Sequence, residues 1–506
     1  MNKGSISLAE KIKQNDEQVC GRLPLNYTNA IQPFGVILSL DKQGKIVQVS
    51  DNVDKIFSVN IEDILDKYLE EICMQDSYNK YQSALSENQS YAVLRLKSDP
   101  EKNYLATIHQ LEKYSILEIE PLQAPIELEG LIITPQINAI VQELLLSPTL
   151  TDLFENAVKI LQQFTGFDRV MLYKFDEDWN GTVLGEEKLP SLNSYLGLRF
   201  PASDIPAQAR AMYLNNPFRF IPDVNYTSSK LYPLLNPTIN SFTDLSSCNL
   251  RSVPAVHIEY LNNMGVYGSM STPIILDNRL WGLLSCHHGG AIDLTFTKRA
   301  TCLLISKVIS SRLHSLEKEV KLSFSNDILK RQMEFNIGFA SKEPLFNIIE
   351  SQSKEILALV NADGLIVSKD GVIKKYGETI KSEDARKIFY WLNSIGEHDF
   401  YFTNSLKGLN KEALNFKELA CGILYISIGP SPSDYILFTR REIIQTVLWG
   451  GNPNDALNFE PDGVTYHPRN SFFEWKEIVE FTSFPWTELD VIAAKAIQKT
   501  VRKNIK

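Results

Sequence analysis

Cysteine is scarce: six residues in 506, with no Cys-x-x-Cys and no regular spacing. That excludes a disulfide framework and a zinc module built on local cysteine spacing. It suits reduced thiols, and a cytoplasmic location is the expectation. No apolar run is long enough to span a bilayer. The amino end, Met-Asn-Lys-Gly-Ser-Ile-Ser-Leu-Ala-Glu, lacks an apolar signal core, so no membrane partner is expected. Positive charge is in deficit: the net charge is -10. A nucleic-acid partner is therefore not expected either. There is no nucleophile elbow and no metal motif. Only seven histidines occur, and three of them, His257, His287 and His288, fall between Arg251 and Gly290. Those three have the residue type for zinc but not a recognisable ligand spacing, and no metal is expected.

What is present is ordinary for a soluble globular chain: 44% hydrophobic and 22% charged residues. The length suggests about three domains. Residues 1–19 read as a polar arm, followed by Cys20. Val36–Leu40 and Lys45–Ser50 flank the turn Asp41-Lys42-Gln43-Gly44 and predict a hairpin. Short helices are expected over 51–87, then strands at Tyr91–Lys97, Tyr104–Leu111 and Tyr114–Ile119. A first domain, 1–125, ends near Pro121–Pro125. A second, 126–315, opens on an amphipathic helix whose stripe is Leu153, Phe154, Ala157, Val158, Leu161 and Phe164. Asp168–Phe175 predicts a strand with alternating faces. The proline-punctuated stretch 200–223 predicts a loop–helix–loop that builds a pocket. His257 and Tyr260, three apart, share a helical face, and Ser269 and Ser271 alternate to one side of a strand. Ile274–Leu276 and Leu280–Leu284 predict a hairpin turned at Asp277-Asn278.

Thr297 to Phe339 reads as one long helix without an internal Gly or Pro before Gly338, which suggests an interdomain spine or coiled coil. A third domain, 316–506, has strand-like runs at Ile356–Asn361, Gly364–Ser368, Cys421–Ile428 and Asp434–Thr439, and a final helix over 487–504. Its basic last turn, with Lys499, Arg502 and Lys503, suits a helix C-terminus. The expected fold class is α+β and multidomain, with antiparallel sheets.

Three separated motifs carry a resemblance: Phe200-Pro-Ala-Ser-Asp-Ile-Pro206; His257-Ile-Glu-Tyr-Leu-Asn-Asn-Met-Gly-Val266 with Cys286-His287-His288; and Trp449-Gly-Gly451 with Pro468-Arg-Asn-Ser-Phe472. In this order they resemble the photosensory core of a bacteriophytochrome. The resemblance covers essentially the whole chain and implies the domain order PAS, GAF, PHY, with a hairpin tongue at about 440–480. It implies a red/far-red photoreceptor module and not an enzyme. It also implies a bound bilin, specifically biliverdin in thioether linkage to Cys20. Plant and cyanobacterial members attach the pigment through a cysteine just before the His257 position; here that residue is Val256. A free thiol ionises near pKa ~8.5, so neighbours must assist the attachment.

A bilin has two propionates, for which guanidinium forks are suited. Arg219 and Arg251 are the candidates, with hydroxyl help from Ser269, Ser271 and Tyr213. The resemblance puts Asp204 and His257 at the pyrrole nitrogens and lets His287 donate to the last-ring carbonyl; His288 is assigned no ligand role. Tyr173, Phe200 and Tyr260 resemble an aromatic cage, with Ile205, Tyr195, Met171 and Met264 as further wall. Asp204 and Arg469 are the implied reporting pair, Ser471 an alternative partner of Asp204, and Pro468 and Trp449 belong to the same tongue motif. Val447-Leu-Trp449 favours strand, whereas Phe472–Phe481 can be read as an amphipathic helix.

Phe34 stands where the family often has histidine. Threading of the arm through a loop at about 225–255 is compatible with the sequence. No phosphoacceptor helix or ATP-binding glycine box is seen, so a histidine kinase or other output is expected in a longer chain or in trans. The long helices favour a parallel homodimer. A GAF-type sensor of a small dark ligand, such as a cyclic nucleotide, is the competing reading; it keeps the tandem architecture and needs no Cys20.

Overall fold

The structure, a computed structural model, describes residues 27–123, 126–397, 399–406, 415–455, 457–459 and 466–505. Cys20 and the expected polar arm lie outside the described residues. The chain forms two compact units, Met1–His314 with Leu448–Trp475, and Ser315–Val447 with Lys476–Lys506.

The first unit holds two large sheets, antiparallel but for the pairing of Trp449 with Arg199, and a two-stranded pair, Leu457–Phe459 with Tyr466–Pro468. One has the strand order Ala30–Ile31, Ser229–Tyr232, Ile46–Ser50, Val36–Asp41, Tyr114–Pro121, Asp99–Gln110, Tyr91–Leu96. The expected hairpin at 36–50 forms, and its turn is closed by Asp41 Oδ1, which accepts from Gln43 N and Lys45 N at 2.9 Å. One face of this sheet packs Leu38, Val49, Leu94 and Ala106 against the short helices Val53–Phe57 and Gln75–Ser86. The other face, with Ile37, Tyr114 and Ile116, is covered by a connecting segment through Leu245, Cys248 and Leu250. Asn236 on that segment donates to Ser39, and Thr243 to Gln48. The connection is thus fastened to the sheet by buried polar bonds as well as by apolar contact.

The second sheet runs Arg219–Ile221, Gly268–Leu276, Arg279–His288, Arg169–Phe175, Gly181–Lys188, Arg199–Phe200. The expected hairpin turns at Asp277 and Asn278, whose φ values of 49° and 60° are those of a two-residue type I′ turn. The helix Leu150–Thr165 covers one face. Thr149 caps its first turn by accepting from Asp152 N, and Gly166, at φ 79°, ends it in the left-handed region. The expected strand forms at Arg169–Phe175. Its faces do not alternate between core and solvent: every residue but Lys174 is buried. It is central, with the helix on one side and a cavity wall on the other.

The second unit has one sheet in the order Val372–Gly377, Gly364–Lys369, Tyr435–Arg440, Gly422–Ser427, Phe400–Thr403. Helices Ser353–Val360 and Glu488–Asn504 cover one face, and Ser382–Ser394 the other. The run Ile356–Asn361, expected as a strand, is the end of the helix Ser353–Val360. Ile356 and Val360 are its buried residues; their spacing of four is a helical face, and a short apolar run does not by itself reveal its period. Residues Glu474–Val479, inside the stretch read as potentially helical, form a strand with alternating exposure. One continuous helix of 45 residues, Phe296–Ala340, carries the chain from the first unit into the second. Among the described residues no helix is long and apolar enough to cross a membrane.

Candidate ligand-binding site

The register of the second sheet builds the floor of a cavity. Ser271 lies opposite Arg219 on one side and Ser285 on the other, and Ser285 lies opposite Met171. Ser269 pairs with His287, and Leu283 with Tyr173. Cross-strand partners share a face, so these residues all point the same way. The roof comes from Ala255–Asn263, which carries His257 and Tyr260, from Ala207–Asn215, which carries Met212 and Tyr213, and from the turn at Ala202–Asp204. The two residues expected to share a helical face do so, their rings stacked at 6.1 Å with 10° between planes.

The cavity measures about 240 Å³ open to the centres of water-sized spheres. That far exceeds the ~10–15 Å³ one water requires. Its wall includes Met171, Tyr173, Phe200, Asp204, Ile205, Tyr213, Arg219, Arg251, His257, Tyr260, Met264, Ser269, Ser271, His287 and Pro468. Tyr195, expected in the wall, stands behind it: it packs edge-on to Phe200 at 5.7 Å, with the Arg169 guanidinium 3.8 Å from its ring centre. Sequence reasoning missed Ser203, Gln208 and Met212, which line the cavity, because nothing in their spacing marks them. Val256 also lines it.

One end of the cavity is cationic. Arg219 Nη2 donates to the main-chain oxygens of Arg251 and Ser252 at 2.8 and 3.1 Å, whereas its Nη1, shielded from solvent, has no partner among the described residues. Arg219 has no ion pair among the described residues. Burial lowers its affinity for a proton, and burial together with the Arg219 charge lowers Arg251 to about 9. Two guanidiniums crowded in this way favour an anion between them. Tyr213 and Ser271 share a 2.7 Å hydrogen bond beside them.

The middle is neutral and polar. Burial, then the Arg219 charge, lowers His257 to about 4; burial, then Arg169 and His257, lowers His287 to about 3. Both are therefore uncharged imidazoles at neutral pH. His287 Nε2 lies 3.1 Å from Ser285 Oγ, and its buried Nδ1 has no partner among the described residues. Ser203 Oγ and Gln208 Oε1 are likewise buried without one. A buried polar atom left unpaired costs roughly 1–3 kcal/mol. Four of them around one cavity are the mark of a site made for a polar guest.

The far end is aromatic and closed by residues from the Trp449–Phe472 region. Tyr173, Phe200 and Tyr260 gather there, and Phe472, which sequence reasoning did not place in the cage, meets Tyr260 edge-on at 5.2 Å. Asp204 holds the constellation together. Its carboxylate accepts from Tyr260 Oη at 2.9 Å, and from Arg469 Nε and Nη2 at 3.0 and 2.5 Å. The two charged side chains are only 5% and 3% exposed. Burial pushes the Asp204 carboxyl above its ordinary range, and the Arg469 charge counters that rise. Arg469 Nη1 donates to the main-chain oxygens of Gly450 and Ser471, so Ser471 offers its backbone to Arg469, and the side chain that meets Asp204 is Arg469. Gly451 has φ 100°, and a Cβ there would stand 2.2 Å from the Ser471 oxygen. Trp449 pairs in parallel with Arg199 and lies under its guanidinium.

Comparison with known proteins agrees with this architecture. Residues 20–122 match a PAS fold model, 149–312 a GAF domain model and 332–506 a phytochrome region model. The cyanobacterial phytochrome A of Nostoc sp. is 36% identical over 490 residues, 94% of this chain and 64% of that protein. A bacteriophytochrome of Xanthomonas campestris pv. campestris is 30% identical over 498 residues, 96% of this chain and 78% of that protein. The phytochrome photosensory core module of Stigmatella aurantiaca superposes with a TM-score of 0.82 at 30% identity, covering 96% of this chain and 97% of that one. The chain thus spans just under two thirds of the Nostoc relative. It belongs to the phytochrome family, with the PAS, GAF and PHY domains of a photosensory core.

Proposed function

We propose that this chain is a red/far-red photosensory module that takes biliverdin into the cavity and tethers it to Cys20. The observation that carries the reading is the set of buried polar atoms without a partner among the described residues, Arg219 Nη1, His287 Nδ1, Ser203 Oγ and Gln208 Oε1, around one aromatic-capped cavity. A linear tetrapyrrole has the matching groups: carboxylates for the cationic end, and a ring carbonyl within reach of a neutral imidazole. When bound, the bilin supplies light absorption and isomerisation about a double bond beside its last ring.

The chain's residues do the rest. Cys20 contributes a thiol whose S–H adds across a vinyl group: sulfur bonds one carbon, the proton goes to the other, and no oxidant is needed. Arg219 and Arg251 orient the carboxylates, with Tyr213, Ser269 and Ser271 as hydroxyl donors. His257 and Asp204 face the pyrrole nitrogens. His287, kept neutral by burial, donates one N–H to the carbonyl and releases it when the geometry changes. Tyr173, Phe200 and Tyr260 exclude water from the moving end. Asp204 shares its carboxylate between Tyr260 and Arg469, so a shift at Tyr260 redistributes the bonds that hold Arg469. The Arg469 segment is the two-state element that such a local change biases. A kinase or other output in a longer chain or in trans, and a parallel dimer, complete the reading.

The test is direct. Biliverdin is mixed with the protein, and absorption is recorded before and after red light. A red band that converts reversibly is the expected result; no band, or one indifferent to light, sinks the proposal. Cys20→Ser keeps part of the colour and loses zinc-enhanced fluorescence on a denaturing gel.

A further inference from the structure

A second cluster of chemistry-bearing side chains lies away from the cavity, where the first sheet meets the segment that covers it. His109 comes from the strand Asp99–Gln110 and Glu118 from its neighbour Tyr114–Pro121. His109 pairs with Ile116 and Thr107 with Glu118, which puts His109 and Glu118 diagonally on one face. Cys248 arrives from the covering segment. The ligand atoms of all three lie within 4.8 Å of one another. His109 Nε2 and Glu118 Oε2 are 2.7 Å apart, and Leu250 N donates to the other carboxylate oxygen at 2.7 Å, so Glu118 is held in place from behind. Cys248 is fully buried and Glu118 nearly so, whereas His109 keeps 15% side-chain exposure and marks the way in.

We propose that His109, Glu118 and Cys248 form a binding site for a thiophilic divalent cation, with zinc as the fitting ion, which clamps the 233–252 segment to the first sheet. The donor set argues the class. Thiolate, imidazole and carboxylate together suit zinc, whereas magnesium and calcium take oxygen ligands. Charge argues the valence: one thiolate and one carboxylate neutralise a doubly charged ion exactly where burial penalises net charge. The Leu250 N–H donates to the far oxygen of the Glu118 carboxylate and fixes its orientation. On binding, the thiol proton leaves to solvent, the proton on His109 Nε2 moves to Nδ1, and water leaves the ion as the three ligands enter. Water can occupy the fourth position.

The test uses the full chain without pigment, because a bilin can itself bind zinc. Cobalt(II) is titrated in as the probe and read by its thiolate-to-metal charge-transfer band and its visible d–d bands. The expected result is saturation at a single equivalent, displacement by zinc and indifference to magnesium. Cys248→Ser abolishes the charge-transfer band and His109→Gln weakens binding at least about tenfold, whereas Cys302→Ser leaves both unchanged. Circular dichroism checks that each variant folds. If Cys248→Ser does not fold, His109→Gln, at the rim, decides alone. No charge-transfer band in the unmodified chain, a band that survives in Cys248→Ser, or unchanged cobalt affinity in His109→Gln overturns the proposal.

Discussion

Two buried arginine–aspartate pairs of nearly equal exposure are held in different ways. In the second unit, Arg440 and Asp490 are 4% and 6% exposed, and in the first, Arg469 and Asp204 are 3% and 5%. Arg440 Nη2 meets Asp490 at 2.8 Å, and the guanidinium also donates to the main-chain oxygens of Val360, Asn361, Phe484 and Pro485 while stacking 3.7 Å from the Trp486 ring centre. Asp490 in turn accepts from Thr487 N at the start of the last helix. Apart from Asp490, the hydrogen-bond partners named for Arg440 are main chain, and moving one means unfolding an element. Asp204 has the opposite surroundings: Tyr260 and Arg469 both approach it as side chains, and it lines a cavity. On the proposed reading Asp204 exchanges side-chain partners, while Arg469 stays tied through Nη1 to the main-chain oxygens of Gly450 and Ser471. A buried ion pair therefore speaks of rigidity or of switching according to what else holds its members, and not according to its burial.

The largest test of this contrast is Arg440→Ala. It leaves Asp490 charged and unpaired inside a core, and a loss of about 3–5 kcal/mol is expected in chemical denaturation of the second unit. Arg469→Ala is expected to cost less, about 1–3 kcal/mol, because Asp204 faces the cavity and already binds a proton more readily than usual. Its main effect falls on the yield of the light-induced form in pigment-loaded protein. Equal stability losses from the two substitutions would erase the contrast.

Acid gives the next effect. His257 and His287 titrate at about 4 and about 3 in the fold, below the ordinary 6.5. Below pH ~6.5 the unfolded chain takes up protons that the folded chain refuses, so pigment-free protein loses stability as pH falls toward 4. The slope approaches ~2.7 kcal/mol per pH unit for two such histidines. Proton NMR at pH 5.5 should find both rings neutral; an imidazolium signal from either one contradicts the geometry. Arg219→Ala is expected to cost pigment-free protein about 1–3 kcal/mol, because the main-chain oxygens of Arg251 and Ser252 lose a donor, and to weaken pigment binding by roughly 10- to 100-fold, since a charge-assisted bond contributes about 1.5–3 kcal/mol. Equilibrium titration with biliverdin in the Cys20→Ser background measures it. The smallest effect belongs to Glu259→Gln. Its pair with His467 is 40% and 47% exposed, and a change within about 0.5 kcal/mol is expected.

Much of the site was legible in advance where spacing and element type coincide. His257 with Tyr260 on a helix, and Ser269 with Ser271 on a strand, needed only the two periods. Tyr195 was misplaced because a strand-flanking aromatic does not reveal whether it lines a wall or backs one. Phe472 was missed as a cage member because its neighbours Tyr260 and Phe200 lie more than two hundred residues away in sequence. Ile356–Asn361 went wrong because six apolar-rich residues fit either period, and helix packing decided. The strand at 168–175 was expected with alternating faces, and burial of both faces showed only once its neighbours were in place.

By itself the sequence determined the periodic elements, the hairpin turn at Asp277-Asn278, the three family motifs and hence the cavity's main residues, because these depend on local backbone preference and on the order of side chains along one element. Tertiary structure alone decided which polar atoms are left without partners, how Asp204 divides its carboxylate between Tyr260 and Arg469, and that His109, Glu118 and Cys248 meet at all. Those are matters of distance between segments far apart in the chain, and no local spacing encodes them.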